Sequence, residues 1–104
     1  MKNKKKILII AETGISSKLF HERFQRFIDF SGSCAEVYLC SLNVFNKAME
    51  GKRPTHILLA PNAYVLEEYV NQYKDRIDLD ADVVKLPNED YTSMNIEKIM
   101  LDEL

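Results

Sequence analysis

Residues Lys5 to Leu19 read KKILIIAETGISSKL, an apolar run followed by a turn of small residues and the opening of a helix. Ile7, Leu8, Ile9 and Ile10 are consecutive, largely β-branched and too few for a helix of their own, which is the pattern of a strand covered on both faces. Such a strand belongs in the middle of a parallel sheet. In the turn, Gly14 permits a backbone geometry that a side chain would hinder, and Ser16 or Ser17 is placed to cap the following helix. The free N–H groups at that helix start would then point into the turn and make an anion site.

Working outward, Ile15, Leu19, Phe20, Phe24, Phe27 and Ile28 recur at helical spacing with charged residues between them, predicting an amphipathic helix of about 15 residues. It stops at Ser31-Gly32-Ser33, with Gly32 as C-terminal cap. The phenylalanines here and Phe45 are expected in the core. Ala35 to Cys40 alternates as an edge strand does. Ser41 is expected to cap a short helix with Leu42, Phe45 and Met49 on its apolar face and Gly51 at its end.

His56 to Ala60 is a second central strand, closed by the loop Pro61-Asn62-Ala63. Leu66, Tyr69, Val70, Tyr73 and Ile77 mark the apolar stripe of a third helix. Val83, Val84 and Leu86 form a fourth strand before Pro87. In a last helix Asn95 caps, and Ile96, Ile99, Met100 and Leu104 face inward. The order βαβαβαβα implies an α/β three-layer sandwich: a four-stranded parallel sheet with right-handed crossovers and helices on both faces. With strand order 2-1-3-4, the loops Ala11–Ser17 and Pro61–Tyr64 meet beyond the carboxyl ends of the strands, where ligands bind in such sheets.

The chain of 104 residues is expected to form a single domain over 1–104, with 46% hydrophobic and 29% charged residues, as in soluble globular proteins. No apolar run approaches the roughly 20 residues of a membrane span. The lysines at 2, 4, 5 and 6 precede too short an apolar run for a signal peptide and read as a solvated leader. A net charge of −2 gives no nucleic-acid surface. Cys34 and Cys40 are too close together and too isolated from histidine to form a metal set, and without a signal peptide they suggest a reducing cytoplasm.

The turn holds Gly14 alone, so it is neither a dinucleotide fingerprint nor a mononucleotide phosphate loop, and no cofactor is expected. A phosphorelay receiver would end its third strand in aspartate, where this chain has Ala60-Pro61-Asn62. A cysteine phosphatase needs a thiol and an arginine in one loop, and Ala11 to Lys18 has neither.

The segment Ile7 to Lys18 resembles the start of the enzyme IIB proteins of the lactose, cellobiose and chitobiose phosphotransferase systems, whose loop reads Cys-x-x-Gly-Met-Ser-x-Ser. His56-Ile-Leu-Leu-Ala-Pro-Asn is similar to that family's third strand and Gly-Pro-Gln loop. Asp90-Tyr91-Thr-Ser-Met94-Asn95-Ile-Glu97-Lys98 resembles its Asp-Tyr-x-x-Met-Asp/Asn-Gly-Glu-Lys segment. The resemblance implies the 2-1-3-4 sheet and a phosphocysteine relay from enzyme IIA to a sugar entering through the membrane component, enzyme IIC. Membrane contact would then come only through enzyme IIC.

The match puts Ala11 at the phosphocysteine position and Glu12, Thr13, Gly14, Ile15, Ser16 and Ser17 in the phosphate loop, beside Pro61, Asn62 and Tyr64 of the neighbouring loop. Ala11 has no nucleophile. Glu12 sets a carboxylate where a dianion would sit, costing roughly 3 kcal/mol per charge pair at about 6 Å and an effective dielectric near 20 unless it turns to solvent. A helix terminus returns only about 0.3 to 2 kcal/mol. Tyr64 stands where the resemblance implies an arginine.

Cys40 should end the second strand on the same sheet edge as Ala11, as a relocated nucleophile or a small edge residue; Cys34 lies at the opposite edge. His21 and His56 read as structural or solvated. Two function classes stand: an impaired phosphoryl carrier, and a non-catalytic regulatory or binding module that retains the fold.

Overall fold

The computed structural model describes residues 4–104, so Lys2 of the basic leader lies outside the described residues. The opening run forms β1 (Lys6–Ile10), and Ile7 to Ile10 are completely buried. Alternate side chains explain why. Ile7, Ile9 and Ala11 enter one apolar cluster with Phe20, Phe24 and Ile28 of α1 (Ile15–Ser31). Leu8 and Ile10 enter another with Met49 of α2 (Phe45–Lys52) and Val70 of α3 (Glu67–Arg76). A strand whose two faces are both covered needs no polar residue.

β2 (Glu36–Cys40), β3 (His56–Leu59) and β4 (Asp82–Lys85) complete a four-stranded parallel sheet in the order β2-β1-β3-β4. The register pairs Ile10 with both Cys40 and Leu59, and Leu59 with Lys85, so the carboxyl ends of all strands finish together. The fold is the expected three-layer α/β sandwich. α1 covers one face together with α4 (Asn88–Thr92) and α5 (Ile96–Glu103), while α2 and α3 cover the other.

Several local expectations are corrected. α1 begins one residue before the serines, after Gly14, and no side chain caps it. Ser17 therefore falls in the first turn, where its hydroxyl donates to the Gly14 carbonyl at 3.1 Å. Gly14 is fully extended (φ 174°, ψ −178°) with open space where a Cβ would stand, so no steric demand fixes a glycine there. The buried row of α1 is Ser17, Phe20, Phe24 and Ile28, leaving Ile15 86% and Phe30 92% exposed beside it and Leu19 partly so. Periodicity puts Ile15 and Leu19 inside, and the burial preference of phenylalanine does the same for Phe30.

Gly32 does cap α1 in the left-handed region (φ 74°). Gly51, by contrast, lies inside α2, whose end is made by Arg53 at φ 48° with its N–H on the Met49 carbonyl at 3.0 Å. Ser41 opens a 3₁₀ turn, Leu42–Val44, rather than α2 itself, and its hydroxyl goes to Asn43 Oδ1 at 2.8 Å. Tyr69 of the third helical stripe is exposed. α4, five residues long, has no counterpart in the sequence reading. Asn95 caps α5 as expected, its Oδ1 accepting from the Lys98 N–H at 3.4 Å.

Candidate functional site

The carboxyl ends of the strands are laced by backbone hydrogen bonds. Ala11 N–H donates to the Cys40 carbonyl (3.1 Å), Ala60 N–H to Ile10 (3.0 Å) and Leu86 N–H to Leu59 (2.9 Å). Above them the β1–α1 turn and the connection after β3, a 3₁₀ segment Pro61–Leu66, are tied where Glu12 N–H donates to Asn62 Oδ1 at 3.0 Å. A cleft of about 510 Å³ opens between these loops. Glu12, Thr13, Gly14, Ile15, Ser16, Ser17, Pro61 and Asn62 line it, so the two loops singled out in the sequence are brought together.

Two expected members lie elsewhere. Ala11 is 1% exposed and belongs to the core cluster beneath the cleft, with Phe20 and Tyr91. Tyr64 is half-buried and turned toward β4: its hydroxyl donates to the Leu86 carbonyl, and Lys85 Nζ sits 5.6 Å above its ring. It does not line the cleft. Three residues of α4 do, namely Asn88, Tyr91 and Thr92.

In the sequence Asp90 and Tyr91 carry the family resemblance but have no expected place in the site. α4 sits there because Asp90, buried, holds both Lys98 Nζ (3.4 Å) and, through its carbonyl, Asn95 N–H (2.9 Å). Met94, at φ 56°, makes the turn between α4 and α5. The Tyr91 ring then stacks 4.7 Å from Phe20, and burial raises its hydroxyl above the usual tyrosine range. Chain geometry, rather than any local motif, carries this wall of the cleft to the β1–α1 turn.

The first helical hydrogen bond runs from Lys18 N–H to Gly14 at 3.2 Å, so the N–H groups of Ile15, Ser16 and Ser17 precede it. Donors of this kind favour an anion. Against them stands Glu12, the only charged residue among those lining the cleft, which has no lysine, arginine or histidine. Glu12 is exposed, and solvent weakens its field.

Cys40 is half-buried, and burial pushes its thiol up to about 11; Cys34 is exposed at the far end of α1. His21 meets the Val37 carbonyl at 3.1 Å, while His56 joins Thr55 Oγ1 at 2.9 Å, and burial holds it below the usual histidine range. Neither histidine reaches the cleft. Among the described residues, no three His, Cys, Asp or Glu side chains gather to hold a metal, and no helix is long and apolar enough to cross a membrane.

The fold and cleft define an α/β protein with a ligand-sized opening at the carboxyl end of a 2-1-3-4 parallel sheet. In structure the chain is similar to the lactose-specific IIB component domain of the phosphoenolpyruvate:carbohydrate phosphotransferase system from Streptococcus pneumoniae. The TM-score is 0.78 over 98% of this chain and 100% of that one, at 11% sequence identity, a likeness of fold. No protein-family model matches the sequence, and no curated protein does.

Proposed function

We propose that the chain is a single-domain, cytoplasmic IIB-like protein of the lactose/cellobiose type in which phosphoryl relay is lost. It acts as a binding or regulatory module toward enzymes IIA and IIC, meeting the membrane only through enzyme IIC. The observation that carries this reading is Ala11, a buried methyl at the end of β1 beneath a cleft without thiol or cation. Relay by a cysteine requires a thiolate to attack phosphorus, forming S–P as the donor's N–P bond breaks. A methyl group has no electron pair to offer. The hydroxyls lining the cleft belong to Thr13, Ser16, Ser17, Tyr91 and Thr92, with no histidine among their neighbours there to take a proton.

A docking role is supported by exposed apolar residues at the end of the sheet that carries the cleft. Ile15, Val44 and Val65 follow β1, β2 and β3 at the same sheet end, and all are exposed, Val65 at 78%. Of these Ile15 lines the cleft, and exposed apolar residues gathered at one end of a fold mark interaction surfaces.

Incubation with phosphorylated enzyme IIA, followed by intact-mass measurement and calorimetry, tests the proposal. The expected result is binding to a IIA or IIC partner with no phosphate gained, and a loss of affinity of about tenfold or more in Val65→Asp. A phosphorylated product overturns the loss of relay. Failure to bind any such partner overturns the docking role.

A further inference from the structure

We propose that the groove between α1 and the start of α5 is a self-complementary interface that takes a second copy of this chain. The groove has a volume of about 550 Å³, with Arg23, Arg26 and Phe30 on the α1 side and Met94 and Glu97 on the α5 side. Phe30 stands 92% exposed at its edge, the most exposed large apolar side chain among the described residues.

The charges decide the occupant. Among the described residues Arg23 and Arg26 have no carboxylate within ion-pair distance, and Glu97 on the opposite wall has no cation. A partner of a single sign meets like charge on one of the two walls. A second copy related by a two-fold axis running along the groove meets both walls with the opposite sign, since such an axis sets each wall against the other wall of its mate. Phe30 then supplies a projecting aromatic anchor for the mate's groove.

No residue of this groove lines the cleft at the carboxyl end of the sheet, and Arg23 lies about 9 Å along the α1 axis from Ser17. The groove and the cleft share no residue, so the test of the dimer is independent of the proposed IIB-like role.

Sedimentation equilibrium of the full chain from about 1 µM to about 1 mM is expected to show a monomer–dimer equilibrium in this range. Arg26→Glu and Glu97→Arg should each raise the dimer Kd about tenfold or more, and the double variant should restore most of the loss. Phe30→Ser should raise it by a similar factor. Arg26, Phe30 and Glu97 are exposed, so circular dichroism should report an unchanged fold. A monomer at all concentrations overturns the proposal. So does a dimer indifferent to the charge swap, and so does a monomer whose groove takes an acidic peptide instead.

Discussion

β1 and β2 end side by side, at Ala11 and Cys40, joined by the Ala11 N–H on the Cys40 carbonyl. The first end leads into α1, 17 residues long, with unpaired helical N–H groups at its start. The second leads into a 3₁₀ turn of three residues. Their side chains also part company: Ala11 packs with the α1 layer, Cys40 against the α2 and α3 layer. The chain thus keeps a thiol and an anion-ready turn on adjacent strands but on opposite faces of the sheet. Being at the right edge does not make Cys40 a replacement nucleophile, because the sheet stands between its sulfur and the start of α1.

The largest effect that can break this contrast is thiol reactivity. In a Cys34→Ser background at pH 8, alkylation of Cys40 should be about 100-fold slower in the native protein than in urea. A thiol titrating near 11 is then about one part in a thousand ionised, against about a tenth for a free one at the usual 9.0. Equal rates would show that Cys40 is accessible and ionised, and would reopen it as a nucleophile. Linkage gives a second reading of the same group. Its pKa is raised on folding, so the native state holds the proton longer and stability falls as pH rises from the usual 9.0 through about 11. Urea midpoints at pH 7 and pH 10 should show a smaller alkaline loss in Cys40→Ala than in the parent, and an unchanged difference would sink the assignment.

Next in size is Ala11→Cys. Adding a sulfur to a site already 1% exposed should cost about 1 to 3 kcal/mol, read from denaturant unfolding. Held among Phe20 and Tyr91, the new thiol should stay unlabelled by phosphorylated enzyme IIA. Labelling would trace the proposed loss of relay to this one residue and would remove the contrast between the two strand ends.

The layers were legible because they follow from few strong signals, whereas the strand order 2-1-3-4 was implied by the family resemblance. Four largely β-branched apolar residues in a row, too few for a helix, read as a strand covered twice, and strict alternation with helices implies a parallel sheet. The cleft was half legible, since sheets of this kind bring the first and third loops together. Its third wall was not, because α4 reaches the turn through Asp90 holding Lys98 and Asn95, contacts between residues of no local periodicity. Ser16 and Ser17 misled for a different reason: a serine can cap from outside a helix or donate from inside its first turn, and a one-residue shift of the start decides which. Tyr64 lies in the segment after β3, but nothing in the sequence says that its hydroxyl reaches back to Leu86.

The smallest effect is also the finest test of whether the two strand ends are independent. Asn62 Oδ1 accepts the Glu12 N–H from across the cleft, whereas the Ala11 N–H next to it is held by the Cys40 carbonyl. Asn62→Ala removes the first bond and leaves the second. The bond is exposed and water can replace it, so the cost should fall near about 0.5 kcal/mol, the low end for a hydrogen bond. Amide exchange is the sharper measurement. The Glu12 amide should exchange faster in Asn62→Ala, while the Ala11 amide keeps its protection. Asn62→Asp retains the acceptor and should keep Glu12 protected, though it adds a second carboxylate to the cleft. If both amides accelerate together in Asn62→Ala, the turn after β1 and the β1–β2 edge open as one unit, and the division between an anion-ready end and an inert end fails at the level of the backbone.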